Sequence, residues 1–172
     1  TTFSEVYLKL SNYLDFIFKS NYNEIESLNK LFNDELTDND LFVRNPITKI
    51  YAPAPEAMMK RQLDAFVAFG SHLVVSFESQ IQLPIVVSRV VLRFAFDHEL
   101  ILDDFGDFDP DFAVNGNVND IPMKIKPIKK QLEAIRLGVL KMRPIKYHSY
   151  FAFSWYPRVV QMMPFTDVLK ML

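Results

Sequence analysis

The 172-residue chain has the usual length of one domain, and its 49% hydrophobic content is enough to bury one substantial core. It has no cysteine, which excludes disulfides, thiol nucleophiles and cysteine-based zinc sites, and which fits an intracellular or virion setting better than a secreted one. A formal charge of −2 and a pI near 5.9 disfavour a generally basic nucleic-acid binder.

No apolar run approaches the ~20 residues of a membrane span. The opening Thr1-Thr2-Phe3-Ser4-Glu5 lacks the basic-then-apolar order of a signal peptide. A soluble, non-secreted, non-membrane chain is therefore expected.

In chain order, Phe3, Val6, Tyr7, Leu10, Leu14 and Ile17 recur at helical spacing and predict a helix over 3–18. The pattern breaks at Ser20-Asn21-Tyr22-Asn23 and resumes through Ile25, Leu28, Leu31 and Phe32. A polar, acidic loop follows from Asn33 to Asp40, then a short extended run Leu41 to Arg44. Pro46, Pro53 and Pro55 forbid a helix across the next stretch. A helix is expected to open at Pro55, carry Met58, Met59, Leu63, Phe66 and Val67 on its apolar side, and stop at Gly70.

The middle reads as β-structure. Leu73, Val75 and Phe77 alternate over 72–78. Residues 85–96 form a β-branched and aromatic run with Arg89 and Arg93 on one side, and 99–105 can add a strand. Asn115-Gly116 is a hairpin-turn signal that would pair 111–114 with 118–126. Pro127 then opens a helix whose core stripe is Ile128, Leu132, Ile135, Val139 and Met142, and Pro144 ends it. Tyr147, Ser149, Phe151, Phe153 and Trp155 alternate as a last strand, and a short helix is expected from Pro164 to Leu172. With no repeat and no linker, the expectation is one α+β domain over 1–172: an antiparallel sheet with helices packed on one face and the N-terminal helix alongside.

The near-neutral total hides a polarised charge map. Residues 97–120 carry eight carboxylates and no Lys or Arg: Asp97, Glu99, Asp103, Asp104, Asp107, Asp109, Asp111 and Asp120. Residues 124–146 answer with Lys124, Lys126, Lys129, Lys130, Arg136, Lys141, Arg143 and Lys146 against Glu133 alone. The blocks either face each other within the domain or join one copy to another, and a contact of the second kind builds rings or filaments.

Motifs for chemistry are weak. Asp107, Asp109 and Asp111 alternate as in the first half of an EF-hand loop, but Phe112 replaces the turn glycine and Val118 the bidentate Glu. A solvated acidic loop is the plainer reading, so no metal is expected. Asp97-His98-Glu99 could host acid–base work, yet adjacent strand residues face opposite ways. His72 and His148 stand far apart, with no H-E-x-x-H spacing. The four glycines offer no phosphate-cradling loop, and no Ser lies in a G-x-S-x-G context. No cofactor and no enzymatic activity are expected.

The basic helix is a better lead, because Lys129, Lys130, Arg136 and Lys141 fall outside its core stripe together with Leu137 and Leu140. The expected interaction surface is thus Lys129, Lys130, Arg136 and Lys141 with Asp103, Asp107, Asp109 and Asp111. The expected function is a structural subunit of a larger protein assembly, as a homo-oligomer or with other proteins. The cysteine-free, Asn/Asp- and Phe-rich composition has the style of bacteriophage virion tail or neck components, without a motif to carry it. The alternatives are a nucleic-acid-associated or regulatory adaptor using 124–146, and a metal-dependent enzyme on Asp97–Asp111.

Overall fold

The computed structural model describes residues 41–79, 83 and 85–141. The expected elements at 3–32 and 147–172, the loop at 33–40, and Met142, Arg143, Pro144, Lys146 and His148 lie outside the described residues.

The fold is α+β. Strands β1 (Phe42–Arg44) and β2 (Tyr51–Pro53) form a two-stranded antiparallel sheet, with Val43 opposite Ala52. Among the described residues, five α-helices follow: α1 (Lys60–Ser79), α2 (Arg89–Ala95), α3 (Pro110–Asn115), α4 (Ile121–Ile125) and α5 (Lys129–Lys141). One face of the sheet meets helix, as Phe42 packs edge-on against Phe66 and Phe69 of α1 at 5.3 and 5.1 Å between ring centres. Burying each such ring contributes about 1.5–3 kcal/mol.

The hairpin arises from its turn chemistry. The Asn45 side chain accepts from the Ile47 and Thr48 amides at 2.9 and 3.1 Å, and Lys49 takes a positive φ of 63° to close the loop. On its other side, β2 is bridged in parallel by 86–88: the Tyr51 amide donates to Val86 and the Ser88 amide to the Tyr51 carbonyl, each at 2.8 Å.

Helix α1 starts at Lys60 rather than at Pro55. Gln62 accepts from the Met59 amide at 3.1 Å, half of a capping box that fixes the start there. It then runs through Gly70 to Ser79, so the strand expected over 72–78 is helix. Leu63, Phe66, Val67, Gly70, Leu73 and Val74 share one inward face at helical spacing. Gly70 is a contact residue and not a stop.

The longest apposition in the described fold is α1 on α5. It is a backbone-to-backbone crossing through Gly70 and Gly138. A Cβ on Gly70 would lie 2.8 Å from the Ile135 carbonyl carbon, and one on Gly138 would lie 2.8 Å from the Ser71 nitrogen. Ser71 Oγ donates across the crossing to the Gly138 carbonyl at 3.1 Å. On α5, Ile128, Leu132, Ile135 and Val139 are buried as the stripe predicts, and Gln131, Ala134 and Gly138 widen the buried arc.

The other strands expected within the described residues are helical as well. Over 85–96 the bridging segment is confined to 86–88, and Ser88 caps α2 by accepting from the Val90 amide at 3.3 Å. Val90, Val91, Leu92 and Ala95 are buried on several sides of α2, and that burial overrides their β preference. The 99–105 segment is a 3₁₀ turn, Leu102–Phe105. Asn115-Gly116 ends α3 and does not form a hairpin, because Asp109-Pro110 is a cap followed by a first-turn proline. The 118–126 segment is likewise helical, through Val118–Asp120 and α4.

Candidate functional site

Part of the acidic segment turns inward. Asp104 is 1% exposed and accepts from Arg93 Nε at 2.8 Å and from the Ile101 amide at 2.9 Å. Asp107 is also buried, taking bonds from Ser88 Oγ at 3.4 Å and the Arg89 amide at 3.3 Å. Its carbonyl accepts from Asn45 Nδ2 and Thr48 Oγ1, which ties the hairpin loop to the start of α2. Asp109 caps α3 by accepting from the Phe112 amide at 3.1 Å, and it also pairs with Lys124. The Lys124 hydrogen bond and the Phe112 amide hold the Asp109 carboxyl below its ordinary value. Asp103 and Asp111 are exposed, and Asp111 accepts from Asn115 Nδ2 at 2.8 Å.

Among the described residues, two ion pairs join the acidic and basic blocks: Lys124 to Asp109, and Arg136 Nε to Asp97 at 2.5 Å. The second is a close ionic contact rather than an aligned hydrogen bond. Asp97 reaches it from a turn with φ of 59°, directly after α2. These two pairs pin α3 to α4 and the end of α2 to α5, so part of the complementary charge is spent on the fold.

The outer face of α5 is different. Lys130 and Lys141 are exposed, Lys126 joins them from the preceding turn, and none has a carboxylate within salt-bridge reach among the described residues. Lys129 meets Glu133 only at 3.9 Å, one helical turn on, with both side chains more than half exposed. Such a pair contributes about 0.3–0.5 kcal/mol. Leu137 stands 46% exposed among them, as its place outside the core stripe predicts. Of the expected surface, Lys129, Lys130, Lys141, Asp103 and Asp111 face solvent, Arg136 and Asp109 are half-buried in internal pairs, and Asp107 is buried.

A cleft of about 280 Å³ opens on the sheet face turned away from α1. Val43, Ile50 and Ala52 line it with Pro46, Pro53 and Pro55, and Ser88, Asp107 and Phe108 close one end. Nothing in the sequence marked this cleft, because it needs the hairpin, the cap of α2 and the 107–108 turn to meet. Asp107 was legible as a carboxylate, but its burial was not.

His72 is fully buried in α1 with Nε2 3.3 Å from Ser76 Oγ, and burial pushes its pKa down to about 3. His98 lies in the turn after α2, its amide bonded to the Arg93 carbonyl at 2.8 Å. Among the described residues no group of three or more His, Asp or Glu is placed to hold a metal ion, and no helix is long and apolar enough to cross a membrane.

One consequence of the Asp109 geometry is testable. Asp109→Ala removes both the cap and the Lys124 pair and should cost about 1 kcal/mol in urea unfolding. Asp109→Asn keeps a capping acceptor and should cost less. Equal losses would mean that the charge, and not the cap, is what matters.

Fold and surfaces together define an α+β domain with an outward basic helix face and a carboxylate-ended cleft. No family model matches the chain, and no match was found among curated proteins or solved structures.

Proposed function

We propose that the chain is a non-enzymatic assembly subunit that docks the outer face of α5 on an acidic surface of a partner protein. One observation carries this reading. Asp97, Asp104, Asp107 and Asp109 are engaged inside the domain, while Lys130 and Lys141 stay exposed and unneutralised beside Leu137, with Lys126 exposed in the turn before the helix. An exposed apolar side chain flanked by Lys130 and Lys141, with Glu133 one turn away, fits a contact patch with a small dry centre and a charged rim. A protein partner is favoured over nucleic acid because no aromatic side chain of α5 interleaves the lysines for base stacking. The further placing of such an assembly in a virion rests on composition alone.

A variant carrying Lys126→Glu, Lys130→Glu and Lys141→Glu separates docking from folding. All three sites are exposed, so its stability should stay within about 0.5 kcal/mol of the parent. The parent should be retained on a poly-glutamate surface and released at about 0.5 M salt, where screening leaves a range of only a few Å. The variant should not be retained. Equal retention of both would sink the proposal. Saturable binding of duplex DNA by the parent, lost in the variant, would replace the protein partner by nucleic acid.

A further inference from the structure

Asp107 poses a problem of charge that the fold leaves open. Its side chain is 8% exposed, yet no Lys or Arg nitrogen lies within salt-bridge distance of its carboxylate among the described residues. Its two partners, the Ser88 hydroxyl and the Arg89 amide, are neutral donors at 3.4 and 3.3 Å. The Arg89 guanidinium is engaged elsewhere, on the Asp103 carbonyl at 2.6 Å. Buried carboxylates ordinarily carry a compensating cation. Here the space beside the carboxylate is a cleft with aliphatic and proline walls.

We propose that this cleft takes the ammonium or guanidinium head of a lysine or arginine side chain from an extended partner segment. The aliphatic stem would lie along Val43, Ile50 and Ala52, and the head would meet Asp107, with the Phe108 ring beside it. Size agrees, since about 280 Å³ is below the ~300–1,000 Å³ of sites for drug-sized ligands and suits one side chain. The cleft's own cation does not fill this role: the Arg44 guanidinium lies over the Tyr51 ring, 5.9 Å from its centre.

The backbone identifies the source of that side chain. The Asn45 amide donates to Ile50 and the Ala54 amide to Leu41, at 2.8 and 2.9 Å, so the odd-numbered residues of this strand pair with β2. The amides and carbonyls of Phe42 and Arg44 therefore point away from β2, along an outer edge with no backbone partner among the described residues. An extended segment can hydrogen-bond to that edge and drop one side chain into the cleft beside Val43. This docking is independent of the α5 face.

The test uses the full chain labelled with ¹⁵N, titrated with a capped Val-Lys-Val peptide, its norleucine isostere and n-butylammonium. The lysine peptide should shift the amides of Val43, Ala52 and Ser88 saturably, and the norleucine peptide should not. In Asp107→Asn the lysine peptide should weaken by about thirtyfold or more, the loss expected when one member of a buried, hydrogen-bonded charge pair is removed. The comparison of the two peptides on the unaltered protein stands even if that variant folds poorly. Equal binding of both peptides, or of neither, overturns the proposal. Binding of n-butylammonium as tight as that of the lysine peptide would overturn the partner segment as the source.

Discussion

Gly138→Ala should cost about 3 kcal/mol or more in urea unfolding, or leave the chain unfolded, although alanine is the better helix former. On an isolated helix the same change gains close to 1 kcal/mol. The sign reverses because the added methyl would sit on the Val67 carbonyl and 2.8 Å from the Ser71 nitrogen. Both are backbone atoms of α1, so no side chain can rotate to make room. The helices must separate, and separation also breaks the 3.1 Å bond from Ser71 Oγ to the Gly138 carbonyl. Ordinary overpacking costs about 1–3 kcal/mol, and a clash without a rotamer escape belongs at or beyond the upper end. Gly70→Ala should behave alike, since its Cβ would meet the Ile135 carbonyl. A neutral or stabilising Gly138→Ala would mean that α1 and α5 do not cross at these residues.

Acid should destabilise the protein through His72 well before the carboxylates titrate. In the fold its pKa lies at about 3, against the ordinary 6.5. The depressed value means that the unfolded chain binds the proton more readily. The stability involved is fully present above about pH 6.5 and is lost as the pH falls toward 3. By about pH 5 the loss should reach roughly 2 kcal/mol, and near pH 3 roughly 4 kcal/mol. Asp109, held below its ordinary 3.8, acts in a lower window and leaves the drop above pH 5 to His72. His72→Gln retains a polar group for Ser76 and removes the titration. Urea unfolding of both proteins at about pH 7.5 and pH 5 should show the variant losing about 2 kcal/mol less between the two. The same loss in both would place the acid sensitivity elsewhere.

The α5 face was legible in the sequence almost residue by residue. Its core stripe, its exposed lysines and its exposed Leu137 follow from a 3.6-residue period, which depends only on the helix itself. The extended run before Asn45 and the α+β class were legible for a similar local reason, since proline and β-branched residues restrict the backbone wherever they stand.

What the sequence determined by itself was therefore the α+β class, the apolar stripe and lysine face of α5, and the division of charge into an acidic and a basic block. Only the tertiary structure decided where those features sit. Residues 72–78 and 88–95 satisfy a strand pattern locally, but burial on several sides and the capping by Gln62 and Ser88 make them helical. Gly70 reads as a stop until Gly138, 68 positions on, needs its missing methyl. Asp97, Asp104, Asp107 and Asp109 read as parts of a solvated loop until caps and cations from other elements reach them. Whether a charge is spent on the fold or offered to a partner depends on neighbours distant in sequence, and local pattern carries no record of those neighbours.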